Sequence, residues 1–415
     1  MSLIVQKYGG TSVGGPERIR AVARRVAEAR RRGDELVVVV SAMGDTTDDL
    51  LALAAEVTGG EDAARKHPRE LDMLLSAGER IAMALLAMAI RDAGAAAVSL
   101  TGSQAAIITD SAHTAARIEE IRADRVRAAL GRGEVAIVAG FQGVSRGREI
   151  TTLGRGGSDT TAVALAAALG ADRCEIYTDV SGVFTADPRR VPGARVIPEI
   201  SFEEMLELAS AGAQVMHARA IEIAARFGVD IRVGSSFDEG GPGTLITRSP
   251  RGMEELVLTG IASQKGHARL VMRDLPAGIR TATAFVVALA DAGVSVDMIS
   301  EAAERDGRVQ LQVTVDEAQL DAAGRVCGQV VEDLGGAGVE VVRGLTRVAL
   351  VGSGMHRRPG VYARAFRALL DAGVEIFAVS TSGISITLLV RNEREDDTLQ
   401  ALHAAFELEL ARTEG

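Results

Sequence analysis

The first part of the chain alternates apolar runs with segments that are apolar on one face only. Six apolar runs are predicted to be strands, namely Leu3–Gln6, Leu36–Ser41, Ala96–Leu100, Val135–Gly140, Cys174–Thr178 and Ile231–Val233. Apolar positions recur with helical spacing in Pro16–Arg32, Glu70–Asp92 and Ser158–Leu169. Strands that alternate with helices favour a parallel sheet covered by helices. We therefore predict an α/β sandwich with a mainly parallel sheet over residues 1–250.

The remainder of the chain contains an internal repeat. A segment rich in Gly, Pro and Ser, from Glu239–Gly243 through Ser249-Pro250, marks a boundary before it. Ala288–Val294 then recurs as Ala368–Val374, and each copy is predicted to be a helix that ends at a glycine and leads into a strand, Val294–Ile299 or Val374–Val379. We predict two small α+β modules of the βαββαβ type, residues 264–343 and 344–415, with a strand at 255–262 contributed to the second.

Composition excludes several classes of protein. The 415 residues require two or three domains, and 47% hydrophobic with 25% charged residues is typical of a soluble globular protein. No apolar run reaches about 18 residues and no leader is apparent, so we expect a cytoplasmic protein with no membrane partner. The net charge of −10 argues against nucleic acid as a partner. Cys174 and Cys327 match no metal spacing and are expected to be buried free thiols.

Two segments are suited to binding phosphate. Lys7-Tyr8-Gly9-Gly10-Thr11-Ser12 follows the first strand, and Gly154-Arg155-Gly156-Gly157-Ser158-Asp159 precedes a helix. Glycines let backbone N–H groups approach phosphate oxygens, and the start of a helix attracts anions. Only Lys7, Lys66 and Lys265 are lysines among 46 basic residues, so a lysine at position 7 indicates a need for its compact ammonium group.

These and further segments resemble aspartate kinases over essentially the whole chain. The other similar segments are Ser41–Thr47, Ser76–Arg80, Ala139–Gly143, Thr152–Thr161 and Tyr177–Arg189. The resemblance implies an amino-acid kinase αβα sandwich followed by two ACT domains, which are small regulatory modules. It also implies transfer of a phosphoryl group from ATP, with Mg²⁺, to the β-carboxylate of L-aspartate, which is the first step of the aspartate-family amino-acid pathway.

The resemblance also implies a set of site residues. Lys7 and Asp159 would be catalytic, with Asp159 orienting the lysine. The nucleotide would contact Lys7, Tyr8, Gly9, Gly10, Thr178, Asp179, Phe184, Asp187, Arg189 and Gln214. L-Aspartate would contact Ser41, Thr47, Glu79, Arg155, Gly156, Gly157 and Ser158. On chemical grounds, Arg155 can pair with a carboxylate and Glu79 can receive an ammonium group. No residues are predicted to form a permanent metal site.

The chain departs from the family pattern at several positions, and two of these departures bear most on activity and regulation. Gln214 stands where the family has a second lysine beside the phosphates. In the first ACT module, Glu301, Ala302 and Gln310 replace a glutamine, an asparagine and an aspartate of the usual effector pocket, so an amino-acid effector is expected to bind weakly. The expected enzyme is therefore an aspartate kinase with weak feedback regulation.

Three alternatives remain open at this level. The chain can be a catalytically impaired homologue that acts as a regulatory partner through its ACT modules. It can also be a kinase for a modified aspartate, or for an acid such as N-acetylglutamate, although acetylglutamate kinases lack tandem ACT modules. Association is expected either between identical chains or with an ACT-only subunit, for which Met253 is a candidate internal start.

Overall fold

A computed structural model describes residues 2–238, 240–241, 243–250, 257–355, 358 and 360–409. The candidate start Met253 lies outside the described residues. The chain divides into two compact units. The first consists of Met1–Phe184, Val196–Ser210 and Gln214–Met253, and the second of Thr185–Arg195, Ala211–Ala213 and Glu254–Gly415. Two short segments that interrupt the sequence of the first unit therefore belong to the second unit.

The described elements of the first unit follow one another in the α/β order predicted from the sequence. In chain order they are β1 (Leu3–Tyr8), α1 (Pro16–Arg31), β2 (Glu35–Val40), α2 (Thr46–Thr58), α3 (Glu61–Ala64), α4 (Pro68–Asp92), β3 (Ala97–Leu100), β4 (Ile107–Thr109), β5 (Ile118–Ile121), α5 (Asp124–Gly131), β6 (Val135–Ala139), β7 (Gln142–Ser145), β8 (Ile150–Thr152), α6 (Gly157–Leu169), β9 (Arg173–Thr178), β10 (Glu199–Ser201), α7 (Phe202–Ser210), α8 (Ala218–Phe227), β11 (Ile231–Ser235) and β12 (Thr244–Thr247).

The main sheet of this unit has the strand order β10-β12-β11-β9-β1-β2-β6-β3 in the part of the chain that the structure describes. All neighbouring pairs are parallel except β11 with β12. The prediction of a mainly parallel sheet is therefore confirmed. The carboxyl ends of β1, β2, β6, β9 and β11 lie at one edge of the sheet, which is where ligands collect in this kind of fold.

Both faces of the sheet are buried, which explains the unbroken apolar run in β2. Leu36, Val38 and Val40 pack on the face that α1 and α4 cover, while Val37 and Val39 point to the opposite face. A strand covered on both faces carries apolar side chains at every position instead of at alternate ones. Helix α4 is long and apolar enough to span a membrane by length and composition, but half of its apolar window is buried inside the protein, as in a core helix.

A second, four-stranded sheet has the order β5-β4-β7-β8 among the described residues of the first unit. Its strands are only three or four residues long and contain several polar residues, so their sequence gave no clear periodic signal. The sheet contacts α4 through β8, whose last residue, Thr152, lies two residues before Gly154.

The second unit contains two α+β modules that share one sheet. Its described elements are β13 (Gly260–Pro276), α9 (Ile279–Asp291), β14 (Val296–Ala303), β15 (Arg308–Asp316), α10 (Leu320–Asp333), β16 (Gly338–Val351), α11 (Val361–Asp371), β17 (Ala378–Thr381), β18 (Ser385–Arg391) and α12 (Glu395–Ala405). The strand order is β14-β15-β13-β16-β18-β17, and every pair is antiparallel.

The long strands β13 and β16 run through both modules. Residues 260–264 of β13 pair with residues 347–351 of β16, and residues 269–273 of β13 pair with residues 338–342 of β16. The repeat in the sequence corresponds to α9 and α11. The strands after these helices begin later than predicted, at Val296 and Ala378, because Val294 and Val374 are buried in the helix-to-strand turns.

Candidate active site

Lys7 and Asp159 form an ion pair at the carboxyl end of β1. The distance from Lys7 Nζ to Asp159 Oδ1 is 2.7 Å, and about a tenth of each side chain is exposed. β1 delivers the lysine, and the first turn of α6 delivers the aspartate. The pairing predicted for these two residues is therefore present in the structure. An ammonium group at this edge of the sheet can stabilise negative charge that develops on a transferred phosphoryl group.

The glycines after Lys7 form a tight backbone loop. The Gly9 N–H donates to the carbonyl of Tyr177 at 3.2 Å, and the Gly44 N–H donates to the carbonyl of Gly10 at 3.0 Å. A Cβ on Gly10 would lie 2.9 Å from the carbonyl oxygen of Ala42, so no side chain fits there. Tyr8, which is also predicted to contact the nucleotide, has a fully buried ring that is stacked on Tyr177.

The start of α6 is packed equally closely. Gly156 has a φ of +70°, and a Cβ there would lie 2.2 Å from Cβ of His217. A Cβ on Gly140, at the end of β6, would lie 2.7 Å from Oγ of Ser158. These contacts bring the first turn of a 13-residue helix, which includes Gly157, Ser158 and Asp159, to the same edge as Lys7. The unpaired N–H groups of such a turn favour an anion.

Glu79 is a buried carboxylate without a counter-ion among the described residues. Only 3% of the residue is exposed. Its Oε1 accepts a hydrogen bond from the Ala42 N–H at 3.1 Å, while the buried Oε2 has no hydrogen-bond partner in the described part of the chain. Burial raises the pKa of Glu79 to about 7. An unpartnered carboxylate oxygen in such a place fits a positively charged ligand group, such as an ammonium.

The other predicted substrate residues surround this edge with polar groups. Ser41 follows β2 and Thr47 lies in the first turn of α2, and both are half-buried. Arg155 is exposed, and its guanidinium forms no ion pair or hydrogen bond with the residues that the structure describes. Ser158 is buried. The site therefore offers one free guanidinium, one unpartnered carboxylate and several hydroxyl groups.

A second group of polar residues lies at the ends of β1, β9 and β11. Ser12 Oγ donates to Ser236 Oγ at 2.9 Å, and Ser236 Oγ donates to the carbonyl of Thr178 at 3.1 Å. Thr178 Oγ1 donates to Asp179 Oδ1 at 3.0 Å. Thr178 and Asp179 were predicted to contact nucleotide, whereas Ser12 and Ser236 were not. The signal that could have identified Ser236 is its position directly after a parallel strand.

Four further predicted nucleotide residues are divided between the two units. Asp187 and Arg189 belong to the second unit, where Asp187 Oδ2 accepts from Nη2 of Arg189 at 2.9 Å. This hydrogen bond holds the pKa of Asp187 below its usual value. Phe184 is half-buried and pairs with Val196 in the first unit. Gln214, also in the first unit, is exposed.

The comparisons with known proteins agree with this geometry. The amino acid kinase family matches residues 2–235, and the ACT domain matches residues 348–406. The chain therefore belongs to the amino acid kinase family. Within this class it is an aspartate kinase. The aspartokinase of Mycolicibacterium smegmatis is 47% identical over 413 residues, which are 98% of this chain and 97% of that protein.

Solved structures of related enzymes cover the same length. Aspartokinase III from E. coli in complex with aspartate and ADP, in its R-state, is 27% identical with a TM-score of 0.80, covering 97% of this chain and 99% of that one. The same enzyme in complex with lysine and aspartate, in its T-state, is 27% identical with a TM-score of 0.73, again covering 97% and 99%. The predicted class of enzyme and its fold are therefore confirmed.

Proposed function

We propose that this aspartate kinase takes its phosphoryl group from ATP and transfers it to the β-carboxylate of L-aspartate, giving 4-phospho-L-aspartate. The observation that carries the choice of substrate is Glu79, a buried carboxylate with an unpartnered oxygen. An acid without a free amine leaves this group unpaired, which disfavours N-acetylated substrates. Arg155 supports the assignment, because a guanidinium free of other partners can bind the α-carboxylate with two hydrogen bonds.

The phosphate groups of ATP would lie against the backbone of Gly9 and Gly10 and the first turn of α6. Lys7 would neutralise charge on the transferred group, and Asp159 would hold its ammonium in place at 2.7 Å. No cluster of three metal-ligating side chains occurs in the described residues. Mg²⁺ usually binds through substrate phosphates and one or two carboxylates, so it would arrive on the nucleotide. There it would supply further charge neutralisation.

The product is an acyl phosphate, which must be consumed soon after it forms because it hydrolyses readily. We place this reaction at the first step of the aspartate-family amino-acid pathway, in the cytoplasm. Both cysteines, Cys174 and Cys327, are free and buried, which is consistent with a reducing compartment. The exposed apolar side chains of Ile279 on α9 and Leu370 on α11 support association between copies of this chain or with an ACT-only subunit.

Trapping the acyl phosphate tests this function. Purified protein with Mg-ATP, L-aspartate and hydroxylamine should form aspartyl hydroxamate, whereas N-acetyl-L-aspartate and N-acetyl-L-glutamate should give none. Hydroxamate from an N-acetylated acid in preference to L-aspartate would indicate the kinase for a modified substrate. The absence of hydroxamate with every acid of the panel would favour the catalytically impaired homologue.

Gln214 is the residue most informative about catalytic efficiency. We expect Gln214→Lys to raise kcat by about tenfold or more, because an added ammonium near the phosphates stabilises developing negative charge, an effect of about 10²–10³ for one strong contact. Gln329→Lys, at an exposed position in the second unit, serves as the matched control for the added charge. Steady-state kinetics with saturating substrates measure the change. A lower kcat in Gln214→Lys would mean that the amide group of Gln214 supports catalysis better than an ammonium group at this position.

Weak feedback regulation is a further part of the proposal. Ala302 of β14 lies opposite Gln310 of β15, and Glu301 lies opposite Leu311. Gln310 Oε1 accepts from Nη1 of Arg273 at 2.5 Å. The altered residues are thus brought together on neighbouring strands, where they change the hydrogen-bonding groups offered to an effector.

We expect L-lysine and L-threonine, alone or together, to cause less than half-maximal inhibition at about 1 mM, because a ligand shifts a conformational equilibrium only through differential affinity. The double variant Glu301→Gln/Ala302→Asn restores the family residues and should increase sensitivity. Hydroxamate formation across a titration of each amino acid measures both effects. Strong inhibition of the unmodified enzyme at micromolar effector would contradict the proposal.

A further inference from the structure

A buried carboxylate outside the substrate contacts fixes the loop that carries Arg155. Asp72 lies on α4, is fully buried and accepts hydrogen bonds from three residues. Its Oδ1 accepts from Oγ1 of Thr152 at 2.6 Å and from the Thr114 N–H at 3.0 Å. Its Oδ2 is 2.6 Å from Nδ1 of His113, which donates to it in the tautomer that carries a proton on Nδ1. The Asp72 carboxylate has little freedom to move, because any displacement would break several buried hydrogen bonds.

The partners of Asp72 belong to two loops that lie against each other. The Ala116 N–H donates to the carbonyl of Thr152 at 2.9 Å. Thr114 has a φ of +66°, a conformation that a β-branched residue rarely adopts unless its surroundings hold it there. Gly154 also has a positive φ, and a Cβ on it would lie 3.1 Å from the carbonyl oxygen of Thr114. Gly154 therefore packs closely against the carbonyl oxygen of Thr114, whose backbone conformation is strained.

A second charged residue, Arg219, forms hydrogen bonds to the same pair of loops. Arg219, at the start of α8, donates through Nη1 to the carbonyl of Leu153 at 3.1 Å and through Nη2 to the carbonyl of Ala116 at 2.8 Å. Asp72 thus fixes residue 152, and Arg219 fixes residue 153. Both fixed residues lie directly before Gly154 and Arg155. The Arg155 side chain has no partner of its own in the described residues, so its backbone determines where its guanidinium can reach.

We propose that Asp72, together with His113, is a positioning residue for Arg155 and thereby determines the affinity for the amino-acid substrate. This inference rests on the proposed role of Arg155 as the ligand of the substrate α-carboxylate. Asp72 does not contact the phosphate-binding groups described above, since its hydrogen bonds run to residues 113, 114 and 152. Loss of Asp72 should therefore weaken the binding of aspartate and leave the binding of the nucleotide largely unchanged.

Steady-state kinetics on the full-length enzyme test this proposal. We expect Asp72→Ala to raise KM for L-aspartate by about 30-fold while KM for ATP changes less than about twofold, and Asp72→Asn to give an intermediate KM because its amide oxygen keeps one acceptor. Asp92→Asn, an exposed carboxylate on the same helix, is the matched control. Equal increases in both KM values, or an unchanged KM for aspartate in folded Asp72→Asn, would overturn the proposal.

A double-variant cycle separates this inference from the function on which it rests. If Asp72 acts through Arg155, the double variant Asp72→Asn/Arg155→Ala should bind aspartate no more weakly than Arg155→Ala alone. Additive losses would show that Asp72 acts by another route and would overturn the inference. If Arg155→Ala alone leaves KM for aspartate unchanged, the proposed role of Arg155 as the ligand of the α-carboxylate is wrong. Thermal unfolding of each variant confirms that the comparisons are made on folded protein.

Discussion

Replacement of Lys7 by methionine is expected to lower kcat by about 10²–10³, with KM for aspartate nearly unchanged. The ammonium of Lys7 lies at the carboxyl end of β1, where the phosphoryl group would be transferred, and a preorganised charge there acts mainly in the transition state. Hydroxamate formation under saturating substrates measures the loss. Lys66→Met is the matched control, since Lys66 is exposed and is not one of the predicted site residues.

Loss of Lys7 also leaves Asp159 buried without its partner, which is a separate effect on stability. Removing one member of a buried ion pair costs about 3–5 kcal/mol, so the single variant should also unfold at a lower temperature. The double variant Lys7→Met/Asp159→Asn removes the unpaired charge and should recover much of that stability without recovering activity. Recovery of activity in the double variant would show that the lysine serves the fold and not the reaction.

Replacement of Glu79 by glutamine is expected to raise KM for L-aspartate by about 100-fold and to flatten its dependence on pH. The ionised form of Glu79 binds the substrate ammonium, and burial raises the pKa of this carboxyl to about 7. Below that pH the ionised fraction falls about tenfold per pH unit, so KM for aspartate in the unmodified enzyme should fall as pH rises to about 7 and then level off. Kinetics between pH 5.5 and 8.5 measure the profile.

The same carboxylate makes the enzyme less stable as pH rises. The pKa of Glu79 is about 7 in the folded protein against 4.5 ordinarily, so between these values the unfolded chain loses its proton first. The free energy of unfolding therefore falls by roughly 3 kcal/mol across that range and then stays constant. Glu79→Gln should abolish this part of the pH dependence and be more stable than the unmodified protein at pH 8. Glu70→Gln, an exposed residue on the same helix, should change neither KM nor stability.

Much of the fold could be predicted from local patterns because the central strands are buried on both faces. β2 is apolar at every position after Glu35, and α1 begins at a proline, which is suited to the first turn of a helix. The small sheet of β4, β5, β7 and β8 could not be predicted in this way. Its short strands contain polar residues such as Thr109 and Thr152, which are buried through hydrogen bonds to partners distant in sequence.

Candidate site residues could be predicted from the chain's own chemistry only where reactive residue types and a continuous motif coincide. Lys7 and the glycines after it form such a motif, and so do the residues around Asp159. Glu79 was predicted through the resemblance alone, because its residue type by itself indicates an ordinary charge on a helix. Its burial beside Ala42, without a partner for Oε2 among the described residues, is visible only in the structure. Asp72 gave no signal either, since its donors lie 41, 42 and 80 residues away in sequence.

The segment Thr185–Arg195 has a consequence for any attempt to isolate the catalytic half of this enzyme. Ala186 and Val191 are almost fully buried in the apolar core of the second unit, together with Leu258, Leu350 and Leu402. A protein truncated after residue 250 would lack those partners and would expose an apolar stretch in the middle of its own sequence. Such a fragment should aggregate unless the remaining residues are supplied as a separate chain. Preparation of a stable catalytic half therefore requires the residues after 250 to be present, so that Ala186 and Val191 remain covered.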